Sequence, residues 1–328
     1  MADIERSADT GGDVDPSPGF YRDDQLRLLF ACCHPALPLE GRVALTLKTV
    51  AGLSTRQIAA AFLVSEATMG QRLLRTRNKI AHAGIRLKVP QSHRLAERTA
   101  GVLAVVYLVF NEGYTAAEKR DSGGLADEAV RLANLVARLL PEDDETHGLR
   151  ALLLLQHARS SARTNAMGDL VSMEEQDRAH WDQAMVTAGL AALAAARASG
   201  RPPGPYRLQA EIAALNATAA TAAETNWAGV VAGYEALFTM QQSPVVALNR
   251  AVALGFRDGP QAGLDALGKV DSDPRLASYW LRPAARADFL RRAGRTQEAA
   301  AAYGEALALV RTDSDRRFLE RRMREILG

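Results

Sequence analysis

Leu53 to Arg77 restricts the fold of this chain more than any other stretch: two helix-length segments are separated by a break with room only for a tight turn. Ser54 is placed to cap the first segment, in which Ile58 and Phe62, four apart, share a face. Ser65 is placed to cap the second. Met69, Leu73 and Ile80, with the stem of Arg77, are expected on its inward face, and Thr68, Gln71, Arg72 and Arg75 on the opposite one. Such a capped pair, with cations on its second member, is the helix-turn-helix arrangement. It sets the second helix against base edges and phosphates in a DNA major groove.

The distribution of charge points the same way. The net charge is only +2, yet between residues 70 and 98 eight cations (Arg72, Arg75, Arg77, Lys79, Arg86, Lys88, Arg94 and Arg98) face the single acid Glu97. That stripe fits phosphate binding, or a solvated helix face. Residues 1–22 are the reverse: acidic, rich in Gly, Asp, Ser and Pro, with little to bury, and expected to form a disordered tail. Elsewhere alanine and leucine dominate and β-branched or aromatic runs are scarce, so the fold class is expected to be all-α. The only cysteines, Cys32 and Cys33, are neighbours, which excludes a disulfide framework and suggests a reducing compartment. No apolar stretch has the length of a membrane span, so the expectation is a cytoplasmic protein with no membrane partner.

Further helices follow from capping and periodicity. Asp23 is expected to start one through Leu26, Leu29 and Phe30, ended by Pro35 and Pro38; Leu39 starts another, carrying Val43, Leu47 and Val50 and stopped by Gly52. Lys88-Val89-Pro90 reads as a linker. An apolar helix from His93 to Phe110 is expected to terminate at Asn111-Glu112-Gly113-Tyr114, with Gly113 just past its end. Asp127 is expected to cap the next, which carries Leu132, Leu135, Val136, Leu139 and Leu140 and is broken at Pro141. A further helix spans Leu149 to Ala162. From about residue 206 bulky residues recur among helix pairs: Trp227, Tyr234, Phe238 and Pro244, then two helices around Gly259-Pro260, then Leu290, Gly294, Ala299, Tyr303 and Ala306. The pattern is loosely tetratricopeptide-like; such pairs stack and leave a concave groove.

These segments carry a family resemblance. Leu53 to Arg77 resembles region 4 of an extracytoplasmic-function sigma factor, a small relative of sigma-70. Leu28-Leu29-Phe30-Ala31-Cys32-Cys33-His34-Pro35 resembles a subgroup with a long tetratricopeptide-like C-terminal extension, as do four later segments: residues 107–114, Glu175–Arg178 with Trp181-Asp182, residues 243–252 and Pro283–Asp288. The resemblance runs from about residue 24 to the C-terminus. It implies region 4 over residues 23–88 and a helical C-terminal domain over 92–328. It also implies a role in transcription initiation: binding of core RNA polymerase through the β-subunit flap and recognition of the promoter −35 element. Thr68, Gly70, Gln71, Leu74 and Arg75 match positions where that family touches DNA, and Arg72 and Arg77 match its basic positions. Gln57 stands where the family usually has glutamate, and Gly70 where a larger side chain is common. Residues 1–22 resemble nothing in region 2, the domain that reads the −10 element, so a chain truncated in that domain or lacking it is expected. The short Lys88–Gln91 link suggests that the C-terminal domain packs on region 4 or on polymerase.

Other groups read more simply as structure. Cys32-Cys33-His34 lacks companions for a zinc site and reads as a packed helix end. Glu174–Arg178 and Asp177–Trp181 stand four apart and read as a salt-bridged helical surface rather than acid–base equipment. No cofactor, metal or enzymatic activity is expected. The rival readings are a helix-turn-helix regulator whose helical domain senses a ligand or protein, and a repeat scaffold with a vestigial basic helix.

Overall fold

The computed structural model describes residues 18–62, 64–85, 88–116, 124–310 and 312–327. They form fifteen α-helices in chain order and no strand, so the protein is all-α. The first four are α1 (Pro18–Cys32), α2 (Leu39–Thr49), α3 (Thr55–Ala61) and α4 (Glu66–His82); α5 (Ser92–Ala116), α6 (Leu125–Leu139) and α7 (Asp144–His157) follow. Apolar stripes on these seven meet in one core. Leu29 and Phe30 of α1, Leu47 of α2 and Ile58 of α3 belong to the same buried cluster as Val106 of α5, Leu132 of α6 and Leu149 of α7. Arg98 of α5 donates to the Phe30 carbonyl and lies over the Phe30 ring. Thus the first helices after the Lys88–Gln91 link bury against the first three, with no gap in the core between them.

Beyond them lie α8 (Gln183–Ala198), α9 (Pro205–Ala217), α10 (Trp227–Met240), α11 (Pro244–Asp258), α12 (Pro260–Gly268), α13 (Leu281–Arg292), α14 (Thr296–Leu309) and α15 (Asp313–Leu327). Here the core passes from neighbour to neighbour. Leu155 packs with Leu193 and Ala210, then Ile212 with Val231 and Ala253, then Leu248 with Leu267 and Phe289, then Leu290 with Tyr303 and Leu319. Apart from α9, which packs mainly on α7, each of these helices buries its stripe chiefly against the helices adjacent in sequence, the economy of a stacked array.

Several local expectations change. The helix expected from Asp23 begins at Pro18, so residues 18–22 are helical rather than tail; residues 1–17 and the Asp23 side chain lie outside the described residues. Gly113 does not end its helix. It sits inside α5, and a Cβ there would lie 2.3 Å from Ala126 N, so glycine is required for the close approach of α6 rather than for a terminus. Gly124, at φ 68°, is the residue before α6. Asp127, expected as the cap, lies in the first turn and accepts from His157 Nε2 at 2.8 Å. The helix expected over Leu149–Ala162 runs from Asp144 to His157 under an Asp143 cap. Residues 163–177 are irregular, so Glu174, Asp177, Arg178 and Trp181 do not share a helix. Glu174 instead reaches across to Arg292, Glu175 to Arg321 and Arg322, and Arg178 is buried.

Candidate nucleic-acid interface

Gly52, at φ 75°, turns the chain from α2 into the helix pair. Ser54 then accepts from Gln57 N–H at 3.1 Å while Gln57 Oε1 accepts from Ser54 N–H at 2.8 Å. This reciprocal capping box satisfies two amides that would otherwise lack partners, and glutamine closes it as glutamate can. At the second helix Ser65 Oγ accepts from Thr68 N–H at 3.1 Å and bonds the Thr68 hydroxyl at 2.8 Å.

The buried side of α4 consists of Met69, Leu73 and Thr76, with Ile80 half-buried. Thr76, rather than the expected Arg77, takes the inward place. The steps 69, 73, 76 and 80 follow the 3.6-residue turn, and the small Thr76 lets Gly41 of α2 approach; a Cβ on Gly41 would lie 2.6 Å from Thr76 Oγ1. Arg77 is exposed. The structure gathers Thr68, Gln71, Leu74 and Arg75 on the solvent face, with Leu74 58% exposed despite being apolar. Arg75 Nε donates to Gln71 O at 3.4 Å, laying its side chain along that face. Gly70 and Arg77 stand at one edge. At Gly70 no atom lies within 4 Å of a Cβ position. Arg72, expected among the DNA-facing group, stands at the other edge and pairs with Glu40 of α2 at 3.0 Å; its side chain braces α4 on α2. Asn78, one turn beyond Leu74, also lies exposed on the gathered face. The sequence reading missed it, although its spacing of seven from Gln71 was the available signal.

The surface is thus a capped helix of seventeen residues whose free side offers amide, hydroxyl, apolar and guanidinium groups, supported from behind by α2 and α3. These groups can read base edges and phosphates. The N-terminal amides at Ser65 add a place for a phosphate.

Residues 27–80 match the family described as sigma-70, region 4, which coincides with α1 to α4. The chain is a sigma-70 family member. Residues 98–197 of this sigma-70 relative match a family of unknown function, DUF6596, covering α5 to α8. Over 301 residues the chain is 46% identical to an uncharacterized protein of Rhizobium meliloti (strain 1021), covering 91% of this chain and 70% of that protein, and it belongs to the same family. Region 4 carries the general roles of binding DNA and working with RNA polymerase.

At the end of α1 both cysteines are buried, and Cys33 Sγ lies 3.5 Å from Thr46 Oγ1. Burial, reinforced by the neighbouring Cys33, pushes the Cys32 thiol up to about 12; burial pushes Cys33 up to about 11. Among the described residues no cluster of three or more His, Cys, Asp or Glu side chains could hold a metal, and no helix is long and apolar enough to cross a membrane.

Proposed function

We propose that the protein is an alternative sigma factor of the extracytoplasmic-function type. It would work in the cytoplasm on core RNA polymerase, docking region 4 on the β flap and reading the promoter −35 element with α4. The observation that carries this reading is the exposed group Thr68, Gln71, Leu74 and Arg75 on one capped helix within a region 4 match. Gln71 and Arg75 are the base-edge and phosphate readers; Gly70 lets the backbone approach, and Arg77 flanks the groove. Arg72 acts mainly as a brace. Helices α9 to α15 form the tetratricopeptide-like extension, and the packing of α5 and α6 on α1 to α3 supports a regulatory contact with region 4. The role assigned is binding, with no catalytic step.

The test is retention of purified core RNA polymerase by the tagged full-length chain, followed by selection of bound sequences from random DNA. Retention is expected, with one sequence class enriched. Arg75→Ala should leave retention intact and weaken DNA binding by about 1–3 kcal/mol, the scale of a lost base-edge contact. A folded chain that binds DNA without polymerase would overturn the sigma reading in favour of a free regulator.

A further inference from the structure

Helices α10, α11, α13 and α15, with the irregular segment before α8, line a half-open cavity of about 340 Å³, inside the range of small-molecule sites, about 300–1,000 Å³. One wall is aromatic. Trp227 of α10 and Phe256 of α11 stack with centroids 4.4 Å apart and planes 10° from parallel, and Tyr234 lines the cavity beside them.

Arg178 reaches this cavity from the short 3-10 helix Arg178–His180 that follows the irregular segment, and is only 7% exposed. It donates to Asn216 O at 2.7 Å, Ala219 O at 2.8 Å and Thr225 Oγ1 at 3.1 Å, and lies 5.5 Å from the Trp181 ring centre. All of these partners are uncharged. Its Nε–H is buried without a partner. Burial holds its pKa down, Arg159 adds to that, and Glu224 opposes it from beyond ion-pair range. The other two guanidiniums on the cavity differ: Arg292 is paired with Asp288 and Glu174, and Arg322 with Glu175 and Glu325. A buried cation without an ion-pair partner is costly. The cavity therefore joins one buried, unpaired guanidinium to an aromatic wall.

We propose that this cavity binds a small organic anion with a planar apolar body, of the aromatic carboxylate class. The anionic group pairs with Arg178, and the ring lies against Trp227 and Tyr234, while Phe256 backs Trp227 with Arg292 over its other face. A cation of the same shape is repelled by Arg178, and a neutral one gains only the apolar part. This inference does not rest on the DNA reading, and its test uses neither DNA nor polymerase.

The probe is 2-naphthoate, titrated into the full-length chain by calorimetry, with naphthalene-2-carboxamide as its uncharged counterpart. One-to-one binding is expected, with the carboxamide weaker by about tenfold or more, the effect of losing a charge-assisted hydrogen bond. Val252→Phe places bulk in the cavity and should abolish binding while leaving the helical circular dichroism unchanged; Ala284→Leu on the facing α13 is the second blocking variant. Arg178→Gln is a poorer choice, because three hydrogen bonds that fix the segment go with it. No binding at millimolar naphthoate, equal binding of the carboxamide, or binding indifferent to both folded blocking variants would each overturn the proposal.

Discussion

Gly113→Ala and Gly70→Ala are expected to move stability in opposite directions, although both replace a glycine inside a helix. Helix propensity alone favours alanine by about 1 kcal/mol at either position. At Gly70 the added methyl meets nothing within 4 Å, so the gain survives and the urea midpoint should rise by the equivalent of about 1 kcal/mol. At Gly113 the methyl would lie 2.3 Å from Ala126 N, 2.7 Å from Leu125 Cβ and 2.8 Å from Leu125 C. Two of these three are backbone atoms at the start of α6, so no side-chain rotation relieves them. Helices α5 and α6 must part, loosening the shared core around Phe110 and Ala129. Overpacking costs about 1–3 kcal/mol, and a clash with backbone belongs at the upper end. Set against the propensity gain, a net loss of about 2 kcal/mol remains. Urea unfolding of the full chain followed by circular dichroism reads both signs. A Gly113→Ala midpoint at or above that of the parent would refute the close-approach argument.

Three further outcomes can be checked. Ser54→Ala removes the acceptor of the capping box and should cost about 1 kcal/mol, whereas Gln57→Glu should retain stability; equal urea midpoints for all three chains would contradict the cap. Arg72→Ala breaks the Glu40 pair, whose acid partner is 72% exposed. It should cost at most about 1 kcal/mol of stability and weaken DNA binding less than Arg75→Ala does, as anisotropy titrations would show. Because burial raises both thiol pKa values in the folded chain, their contribution to stability is complete below the unfolded thiol value of 9.0 and is withdrawn as pH climbs through about 11 and about 12. The native cysteines should react with a thiol reagent only after unfolding; rapid labelling of the native chain would show that they are accessible.

The all-α class and several helix ends could be read from the sequence because they depend on local signals. Ser54 and Ser65 cap where short-range chemistry places them, and Pro38 and Gly52 punctuate as expected. The misreadings share a different cause. Gly113 carries the same local signal whether it ends a helix or admits another one, and only the position of α6 decides between them. Arg178 beside acidic neighbours resembles a surface ion pair, yet the carbonyls that hold it come from residues 216 and 219. Arg77 is exposed and Thr76 takes its inward place because α4 meets α2 where Gly41 faces Thr76, a pairing thirty-five positions apart in the chain.

The shared core bears on how the region 4 helices can be studied. Leu29, Phe30, Leu47 and Ile58 are each 0% exposed, and they belong to the cluster that also holds Val102, Val106, Leu132 and Val136. Cutting the chain in the Lys88–Gln91 link would uncover several such side chains at once, each worth about 1.5–3 kcal/mol of burial, against a domain stability of about 5–15 kcal/mol. An excised module would then lose DNA binding for want of a fold rather than for want of its reading face. Helix α4 is placed differently: Met69 and Leu73 anchor it in this core through α2 and α3, while Gln71, Leu74 and Arg75 remain outside. The intact chain therefore holds α4 on α2 and α3, which in turn rest on residues beyond the region 4 match, and substitutions on its free face can test recognition without disturbing that scaffold.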